Sequence, residues 1–591
     1  MSKGFDKMHI KSAVKDHSKF DLSRKHLTTM NIGEAIPIAH DHLIPGDKVS
    51  ANFGVFARVA PMVTTPYVDV FFKTATFFVP YHQVMDGVDS WLSGQRQYLA
   101  KNLELRWFTK LNLIDLLINY GNSTSVTSAT QDTRVDFSYR NQQGTMTYAT
   151  FTRQGKLVYK ILRSLGYQIP RNVNLATSST WYQNEGQQHL NALPLLCYAK
   201  AFNDWMSNSN RFNNSRLSQL LYDVKRDVTN SMGYTAGGHL LINGIKEIID
   251  GVTNLQYEDN YFTTAWEAPN SPLNQLDSVD SVDSPNANVS NSKMYETNTD
   301  LFFVPNSISG YGTAITQRAV EFLSAFDKWV RRNNYSGTKE IEKVYSKFGI
   351  KIDDYKTRYA YIVNRSSAPM QIGDVTAMAN SVYQGEDVAL GDYVGKGIVQ
   401  GGSKFSFTSS DYGMLVTVGY ITCKPLYVDG FDREVLKSQP LDWYTPEFDT
   451  LQSQAISSEE VDSGRDYNDP GHPGTEVYGF TSRYNEYRFA KDQVTGDLTI
   501  IPTYKVWTHA RDLSDILKTG NLKAQSTSMV QMSATSDEYN RIFSVVDGYE
   551  DKFILAFNYS LNALRPMKSI SGALNLGEGS LTMENGGTEI D

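Results

Sequence analysis

The sequence predicts a mainly β protein, organised as one β-sandwich with long insertions. Stretches near the amino end and after residue 400 alternate between apolar and polar residues, which is typical of half-buried strands. Aromatic residues make up 12% of the 591 residues, and they favour strands and large contact surfaces. Between the strand patterns lie helical or unpatterned segments, which favours one sandwich with insertions over several compact domains.

The first strand is predicted over residues 49–59, where valine, alanine and phenylalanine alternate with polar residues. Residues 45–47 ahead of it have turn chemistry, and Pro61 behind it cannot donate to a ladder. The next stretch, 68–79, is apolar or aromatic on both faces. We expect such a strand to be covered on both sides, by a second sheet or by a neighbouring subunit.

The middle of the chain is predicted to be helical and rich in loops. Residues 121–150 and 267–300 are polar and show no periodicity, so both are interpreted as surface loops. Insertions are therefore placed at 121–190 and 206–350. Apolar residues spaced three and four positions apart predict helices at 194–206, 315–332 and 338–349.

Strand patterns return from about residue 360 onward. Because strand-forming segments flank the helical middle, residues 28–591 are predicted to form a single domain. The strand patterns in this part of the chain lie at 405–407, 414–420 and 498–507.

Residues 1–27 differ from the rest of the chain in charge. They hold seven basic residues against three aspartates, a net charge of +4 in a chain whose total is −8. With few apolar residues, this arm is predicted to be flexible and suited to polyanions, although a solvated terminus without a partner is the alternative. The basic residues of the arm are Lys3, Lys7, Lys11, Lys15, Lys19, Arg24 and Lys25.

No catalytic or metal-binding motif is recognised, so no catalytic residue, cofactor or metal is predicted. Residues 391–397 resemble a phosphate loop but lack one spacer residue and the hydroxyl residue that holds magnesium. Residues 40–42 place two imidazoles on one face without a third ligand, which favours a loop or edge strand over a metal site. Cys197 and Cys423 match no metal or redox spacing and are predicted to be buried thiols.

Residues 483–489 interleave arginine with aromatic residues. Such a pattern can stack on unpaired bases and pair with phosphates, so Arg483 and Arg488 are candidates for nucleic-acid contact. The same pattern also suits a strand with Tyr484 and Glu486 on one face, and both interpretations stay open.

The hydropathy pattern predicts no membrane insertion, because no run of eighteen apolar residues occurs. The amino end carries scattered charges without an apolar region, so no secretory signal is predicted. We therefore expect a soluble protein that folds where it is made.

Taken in order, several segments resemble the major capsid protein of the Microviridae, small icosahedral single-stranded DNA bacteriophages, and in particular its gokushovirus-like branch. The likeness covers nearly the whole chain, and its specificity comes from the order of the motifs. They are PGD at 45–47, RVAPM at 58–62, FFVP at 77–80, NDW at 203–205, DNYFT at 259–263, DWYTPEF at 442–448 and YGFTSRYNEY at 478–487.

This resemblance implies an eight-stranded antiparallel jelly roll whose long loops make most contacts between subunits in a closed T=1 icosahedral shell. The implied partners are other copies of the chain, a single-stranded DNA genome, minor virion proteins (DNA-binding, pilot or vertex, and scaffolding) and a host surface receptor. The implied location is the virion, assembled in the host cytoplasm. By position, residues 267–300 are the expected surface protrusion, with Asp277, Asp280 and Asp283 facing the host.

The predicted function is therefore structural rather than enzymatic. A glycan-active or glycan-binding β-sandwich protein would also be rich in aromatic residues and long loops, but the basic arm and the lack of a convincing acid pair argue against it. A phage fibre or adhesin would show repeats, and only a short Ser-Val-Asp tandem at 278–283 is present.

Overall fold

A computed structural model of the chain describes most of the predicted sandwich. The predicted helices at 315–332 and 338–349 and the predicted protrusion at 267–300 lie outside the described residues. The described residues are 17–92, 104–124, 136–169, 173–207, 215–253, 255–265, 358–376, 381–383, 386–388, 393–449, 453–463, 477–511, 530–532, 537–544 and 550–567.

Strands dominate the described residues and are numbered in chain order. They are β1 (Ser18–Asp21), β2 (Arg24–Met30), β3 (Ala35–Leu43), β4 (Lys48–Val59), β5 (Val70–Pro80), β6 (Trp107–Thr109), β7 (Gly121–Thr124), β8 (Phe137–Arg140), β9 (Met146–Phe151), β10 (Val173–Asn174), β11 (His189–Asn191), β12 (Tyr234–Thr235), β13 (His239–Leu240), β14 (Tyr361–Thr376), β15 (Ser381–Tyr383), β16 (Glu386–Val388), β17 (Tyr393–Thr408), β18 (Gly413–Cys423), β19 (Ser453–Ser457), β20 (Val477–Ser482) and β21 (Phe553–Arg565).

Helices lie mainly between β5 and β14. The α-helices are α1 (Val88–Leu92), α2 (Lys110–Asn119), α3 (Arg153–Ser164), α4 (Leu193–Trp205), α5 (Ser215–Arg226), α6 (Ile242–Val252), α7 (Asp497–Ile500) and α8 (Asp537–Asn540). Single turns of 3-10 helix occur at Tyr81–Gln83, Pro440–Asp442, Pro446–Phe448, Ser458–Glu460 and Asn485–Tyr487, a longer 3-10 helix at Pro502–Trp507, and a π-helical turn at Trp181–Glu185.

Nine antiparallel strands form one continuous ladder in the order β1, β21, β4, β17, β14, β5, β18, β3, with β2 also paired to β21. Both β1 and β2 lie on the side of β21 opposite β4, so they are two segments of one edge strand interrupted at residues 22–23. Counted this way there are eight strand positions, and in chain order they form two sheets, 1-8-3-6 and 5-4-7-2. This is the strand order of a jelly roll, so the predicted fold is confirmed.

The two sheets pack face to face. Between ring centroids, Phe78 of β5 lies 4.9 Å from Phe407 of β17, and Phe72 of β5 lies 5.5 Å from Phe557 of β21. The alternation predicted over residues 49–59 is the alternation of β4, whose apolar residues point into this core. Each buried valine, leucine or phenylalanine contributes about 1.5–3 kcal/mol through removal from water, which makes the register of β4 costly to change.

The outer face of the sheet that contains β5 is covered by the helical insertion. Helix α4 packs on β5 and β18, and α3 packs on β3. The buried hydroxyl of Tyr198, on α4, donates a hydrogen bond of 3.0 Å to the carbonyl oxygen of Ala35. The two-sided apolar character of β5 is therefore explained by a sheet on one side and a helix on the other. The predicted helix at 194–206 is confirmed as α4.

Two local predictions are wrong. Residues 121–150 are predicted to be unpatterned, but β7, β8 and β9 form an antiparallel sheet there. The prediction failed because the apolar alternation in these strands is short and the surrounding composition is polar. Residues 498–507 are predicted as a strand, but they form α7 and the 3-10 helix that begins at Pro502, whose fixed φ suits a helix start.

The prediction of a flexible arm over residues 1–27 is wrong for residues 18–27, which lie in β1 and β2. Lys19 pairs with Leu564, and Lys25 pairs with Asn558, in register along β21. The arm sequence is too polar to predict a strand by itself. Its order comes from the edge of β21, which offers unpaired backbone groups only once the sandwich has formed.

Candidate assembly and nucleic-acid surfaces

The predicted nucleic-acid residues of the arm fall into three groups. Lys3, Lys7, Lys11 and Lys15 lie outside the described residues. Lys19 and Lys25 have exposed side chains on the outer face of the sheet. The side chain of Arg24 points to the opposite side of β2, where its guanidinium pairs with a carboxylate.

The guanidinium of Arg24 joins the two sheets at their edge. Its Nη1 donates to Asp41 Oδ1 at 2.6 Å and its Nη2 donates to Asp41 Oδ2 at 2.9 Å. A third bond of 2.9 Å runs from Nη2 to the carbonyl oxygen of His40. Because bidentate pairs of this kind are among the stronger hydrogen bonds, the geometry shows that Arg24 holds β2 against β3.

The structure brings Arg483 and Arg488 to one surface but surrounds them with protein partners. Tyr484 has a positive φ of 60° and precedes the 3-10 turn Asn485–Tyr487, so the strand interpretation of residues 483–489 is wrong. Arg488 Nη2 lies 2.6 Å from Asp449 Oδ1. The guanidinium of Arg483 lies 5.3 Å from the ring centroid of Phe448.

These arginines border a group of exposed apolar side chains, here called the aromatic loop surface. Val435 is 73% exposed and Trp443 is 59% exposed. The rings of Tyr444 and Tyr487 meet at 6.0 Å, and the ammonium of Lys437 lies 4.0 Å from the centroid of Tyr487. The aromatic loop surface consists of Phe431, Val435, Trp443, Tyr444, Tyr487 and Phe489.

The charge around the aromatic loop surface suits a protein partner better than a polyanion. Residues 426–449 and 477–493 together contain eight acidic and five basic residues. Large exposed apolar groups rimmed by mixed charge are typical of protein interfaces, whose centres are rich in Tyr, Trp and Phe. Trp443, Tyr444 and Tyr487 of this surface belong to the sequence motifs at 442–448 and 478–487. Only the fold brings the two motifs into contact.

A cavity of about 360 Å³ opens beside the aromatic loop surface, between Tyr261 and residues 431–434. Two of its charged groups are paired with each other, since Arg433 Nη1 lies 2.8 Å from Glu460 Oε1, and the hydroxyl of Tyr261 donates to Glu460 Oε2 at 2.9 Å. Burial and the neighbouring Glu460 carboxylate raise the pKa of the Tyr261 hydroxyl. This pairing favours a structural role for the cavity over a catalytic one.

The other sequence candidates occupy structural positions. Residues 40–42 lie in β3, the last strand of the ladder, and the described part of the chain holds no cluster of three ligands for a metal ion. Residues 393–397 belong to the extended strand β17 rather than to a phosphate loop. The prediction of buried thiols is confirmed, since Cys197 and Cys423 are 0% and 1% exposed, and burial raises the pKa of both.

Among the described helices, none has the length and apolar content needed to cross a bilayer.

Comparison with known proteins decides the family. A family model described as "Capsid protein (F protein)" matches residues 8–103 and 305–574, more than half of the chain. The chain belongs to this capsid protein family. The matched ranges contain all eight strand positions of the jelly roll and leave out most of the helical insertion between β5 and β14.

A curated relative covers the insertion as well. The chain is 20% identical over 609 residues to "Capsid protein VP1" of Chlamydia phage 1, across 94% of this chain and 95% of the relative. The resemblance to Microviridae major capsid proteins is therefore confirmed, and the chain is a viral major capsid protein.

Proposed function

We propose that many copies of this chain assemble into a closed icosahedral shell that encloses the single-stranded DNA genome of a small bacteriophage. The observation that carries this proposal is the aromatic loop surface on a capsid-family jelly roll. A surface that exposes Trp443 and Val435 so fully is costly in water and is suited to burial against another subunit.

In a closed symmetric shell, each interface between subunits can be weak and the shell can still be stable. In a shell each subunit contacts several neighbours, so the effective concentration of one contact is raised by the others. The chain's work is then done by binding energy rather than by covalent chemistry, and we propose no enzymatic activity. The paired charges of the cavity beside Tyr261 support this view.

The remaining partners follow from charge and position. Lys3, Lys7, Lys11 and Lys15 of the amino-terminal segment are proposed to neutralise genome phosphates by counterion release. The acidic residues Asp277, Asp280 and Asp283 are proposed to lie on a protrusion that faces the host receptor. Minor virion proteins would complete a particle that is assembled in the host cytoplasm.

Electron microscopy and light scattering of the expressed full-length chain test the shell directly. We expect uniform closed particles whose interior contains nucleic acid. A chain that stays monomeric at every concentration, both alone and together with the other proteins of its phage, would contradict the proposal.

A further inference from the structure

The outer face of the sheet formed by β1, β2, β21, β4 and β17 is exposed in the described part of the chain, unlike the helix-covered face of the opposite sheet. We call it the open sheet face. The strand registers place its outward residues in cross-strand rows, such as Lys19, Leu564, Lys48 and Thr408 at one end. At the other end a row holds Thr29, Ile554, Arg58 and Ile398.

The charge of the open sheet face is strongly positive for an acidic protein. Its outward positions carry one aspartate, Asp21, while the whole chain has a net charge of −8. Hydrogen bonds from Ser23 to the Asp21 carboxylate lower the pKa of that group. Among the side chains that the structure describes, the basic residues of this face are Lys19, Lys25, Lys48, Arg58 and Lys404.

Several of these cations are available to a ligand. Lys25, Lys48 and Lys404 form no ion pair with the described residues, in contrast to Arg24 on the other side of β2. Strands lie about 4.8 Å apart and outward residues recur about every 6.8 Å along a strand, so long lysine side chains at these positions can reach a ligand lying across the sheet.

Between the charged positions the face is lined by uncharged hydrogen-bonding groups. Such a surface can bind phosphate, sugar and base atoms without requiring one sequence. These residues are Ser50, Asn52, Ser406, Asn558, Ser560 and Asn562.

The open sheet face also offers a platform for a base. The ring of Phe56 is 41% exposed, and the guanidinium of Arg58 lies 6.0 Å from its centroid. Leu27, which is 68% exposed, occupies the same cross-strand row as Phe56. An exposed aromatic ring next to cations on a sheet is the arrangement by which proteins stack unpaired bases while holding their phosphates.

We propose that the open sheet face binds single-stranded DNA, with phosphates on Lys48, Lys404 and Lys25 and a base stacked on Phe56. The inference rests on the proposed function, because it names the wall surface that meets the enclosed genome. Positive charge selects a polyanion, and the exposed ring favours unpaired bases over a duplex. The aromatic loop surface, whose surroundings hold more acidic than basic residues, is assigned to contacts between subunits.

Oligonucleotide binding by the unassembled full-length chain tests the electrostatic part. Fluorescence anisotropy of a labelled oligothymidylate, measured over a series of salt concentrations, should give a steep loss of affinity with salt. In the double variant Lys48→Gln and Lys404→Gln the slope should fall by about 1.4, since each contact to single-stranded DNA contributes about 0.7. A matched control, Arg163→Gln with Lys246→Gln, alters two exposed cations on the insertion helices and should leave the slope unchanged.

A second variant separates stacking from charge. We expect Phe56→Leu to weaken oligonucleotide binding about tenfold while leaving the salt slope unchanged, because it removes a ring and no cation. Absence of binding by the unaltered chain, or equal slopes in the double variant and its control, would overturn the inference.

Particle composition distinguishes this inference from the shell proposal. Shells of the double variant should form normally but carry less nucleic acid, read from the ratio of absorbance at about 260 nm to that at about 280 nm. Normal shells with unchanged nucleic acid would overturn the DNA-binding face and leave the shell proposal standing. Failure of the double variant alone to form shells would assign this face to subunit contact instead, whereas failure of the unaltered chain would contradict the shell proposal.

Discussion

The ammonium of Lys160 on α3 lies 3.2 Å from a carboxylate oxygen of Asp551, which lies two residues before the start of the last strand of the sandwich. The same ammonium lies 2.6 Å from Glu34 Oε2, and Arg153 pairs with both acids. The side chains of Asp551 and Glu34 are 3% and 1% exposed. This buried network fastens the helical insertion to the jelly roll.

Removing Asp551 should leave the three basic groups of this network with Glu34 as their remaining carboxylate. Burial by itself raises the pKa of Asp551, but Lys160, Thr29, Lys156 and Arg153 together hold it below its ordinary value. We expect Asp551→Asn to lower the free energy of unfolding by about 3 kcal/mol, measured by urea denaturation of the unassembled chain. Asp86→Asn breaks the more exposed pair with Lys225 and should cost less than about 1 kcal/mol. Equal losses in the two variants would contradict the assignment.

Mild acid should destabilise the unassembled chain through histidines whose pKa is lowered in the folded state, of which His509 is fully buried. Burial lowers the pKa of the imidazoles of His26, His40, His42, His239 and His509. The unfolded chain therefore takes up these protons first, so stability present above about pH 6.5 is lost as the pH falls toward the lowered folded values. Thermal unfolding should show a lower Tm at about pH 5.5 than at about pH 7.5.

One histidine can be isolated from this group. His509 is 1% exposed, and its Nε2–H donates a bond of 2.7 Å to the carbonyl of Lys424. A glutamine amide can make the same bond without titrating, so His509→Gln should reduce the dependence of Tm on pH. His17→Gln, at an exposed position, serves as the control and should leave that dependence unchanged.

The two thiols should be unreactive in the folded chain. Cys197 and Cys423 are buried and free, and burial raises the pKa of each, which keeps them protonated at neutral pH. A colorimetric thiol reagent should label neither cysteine under native conditions and both after denaturation. Rapid native labelling would contradict the packing of α4 against β18.

Assembly should depend on the aromatic loop surface. Because Val435 is 73% exposed, Val435→Asp should change the free energy of unfolding by no more than about 0.5 kcal/mol. The same change should abolish or strongly reduce shell formation, measured by sedimentation and microscopy, since it places a charge in an apolar contact. Val228→Asp, at a 46% exposed valine after α5, is the matched control. Equal shell yields from the two variants would show that Val435 lies outside the interfaces.

Truncation of the amino end should separate genome retention from folding. Deleting residues 2–16 removes Lys3, Lys7, Lys11 and Lys15, and should lower the nucleic-acid content of the particles without changing Tm. Deleting residues 2–30 also removes β1 and β2, which strips the edge of β21 and should lower Tm and promote aggregation. Equal genome content in particles of the shorter deletion and of the intact chain would refute the role of these lysines.

Much of the sandwich could be predicted because its strands carry their own signals. The alternation of β4 and the two-sided apolar run of β5 are properties of consecutive residues, and a buried face fixes them in sequence. Predictions failed where a segment forms a strand only by pairing with a distant part of the chain. Residues 18–27 pair only because β21, more than five hundred residues away, presents an edge.

The candidate surfaces, too, could be predicted only where their features are local in the sequence. The sequence alone identified the composition of the aromatic segments, the basic amino end and the family motifs, because these are local features of the chain. It could not show that Arg24 pairs with Asp41, and it could not reveal the open sheet face, since Lys25, Lys48 and Lys404 come from three different strands, one of them more than three hundred residues from the others. Strand register decides which cations face solvent and which face a carboxylate. Register in turn is set by pairing between remote segments, and this pairing forms only when the two sheets pack together.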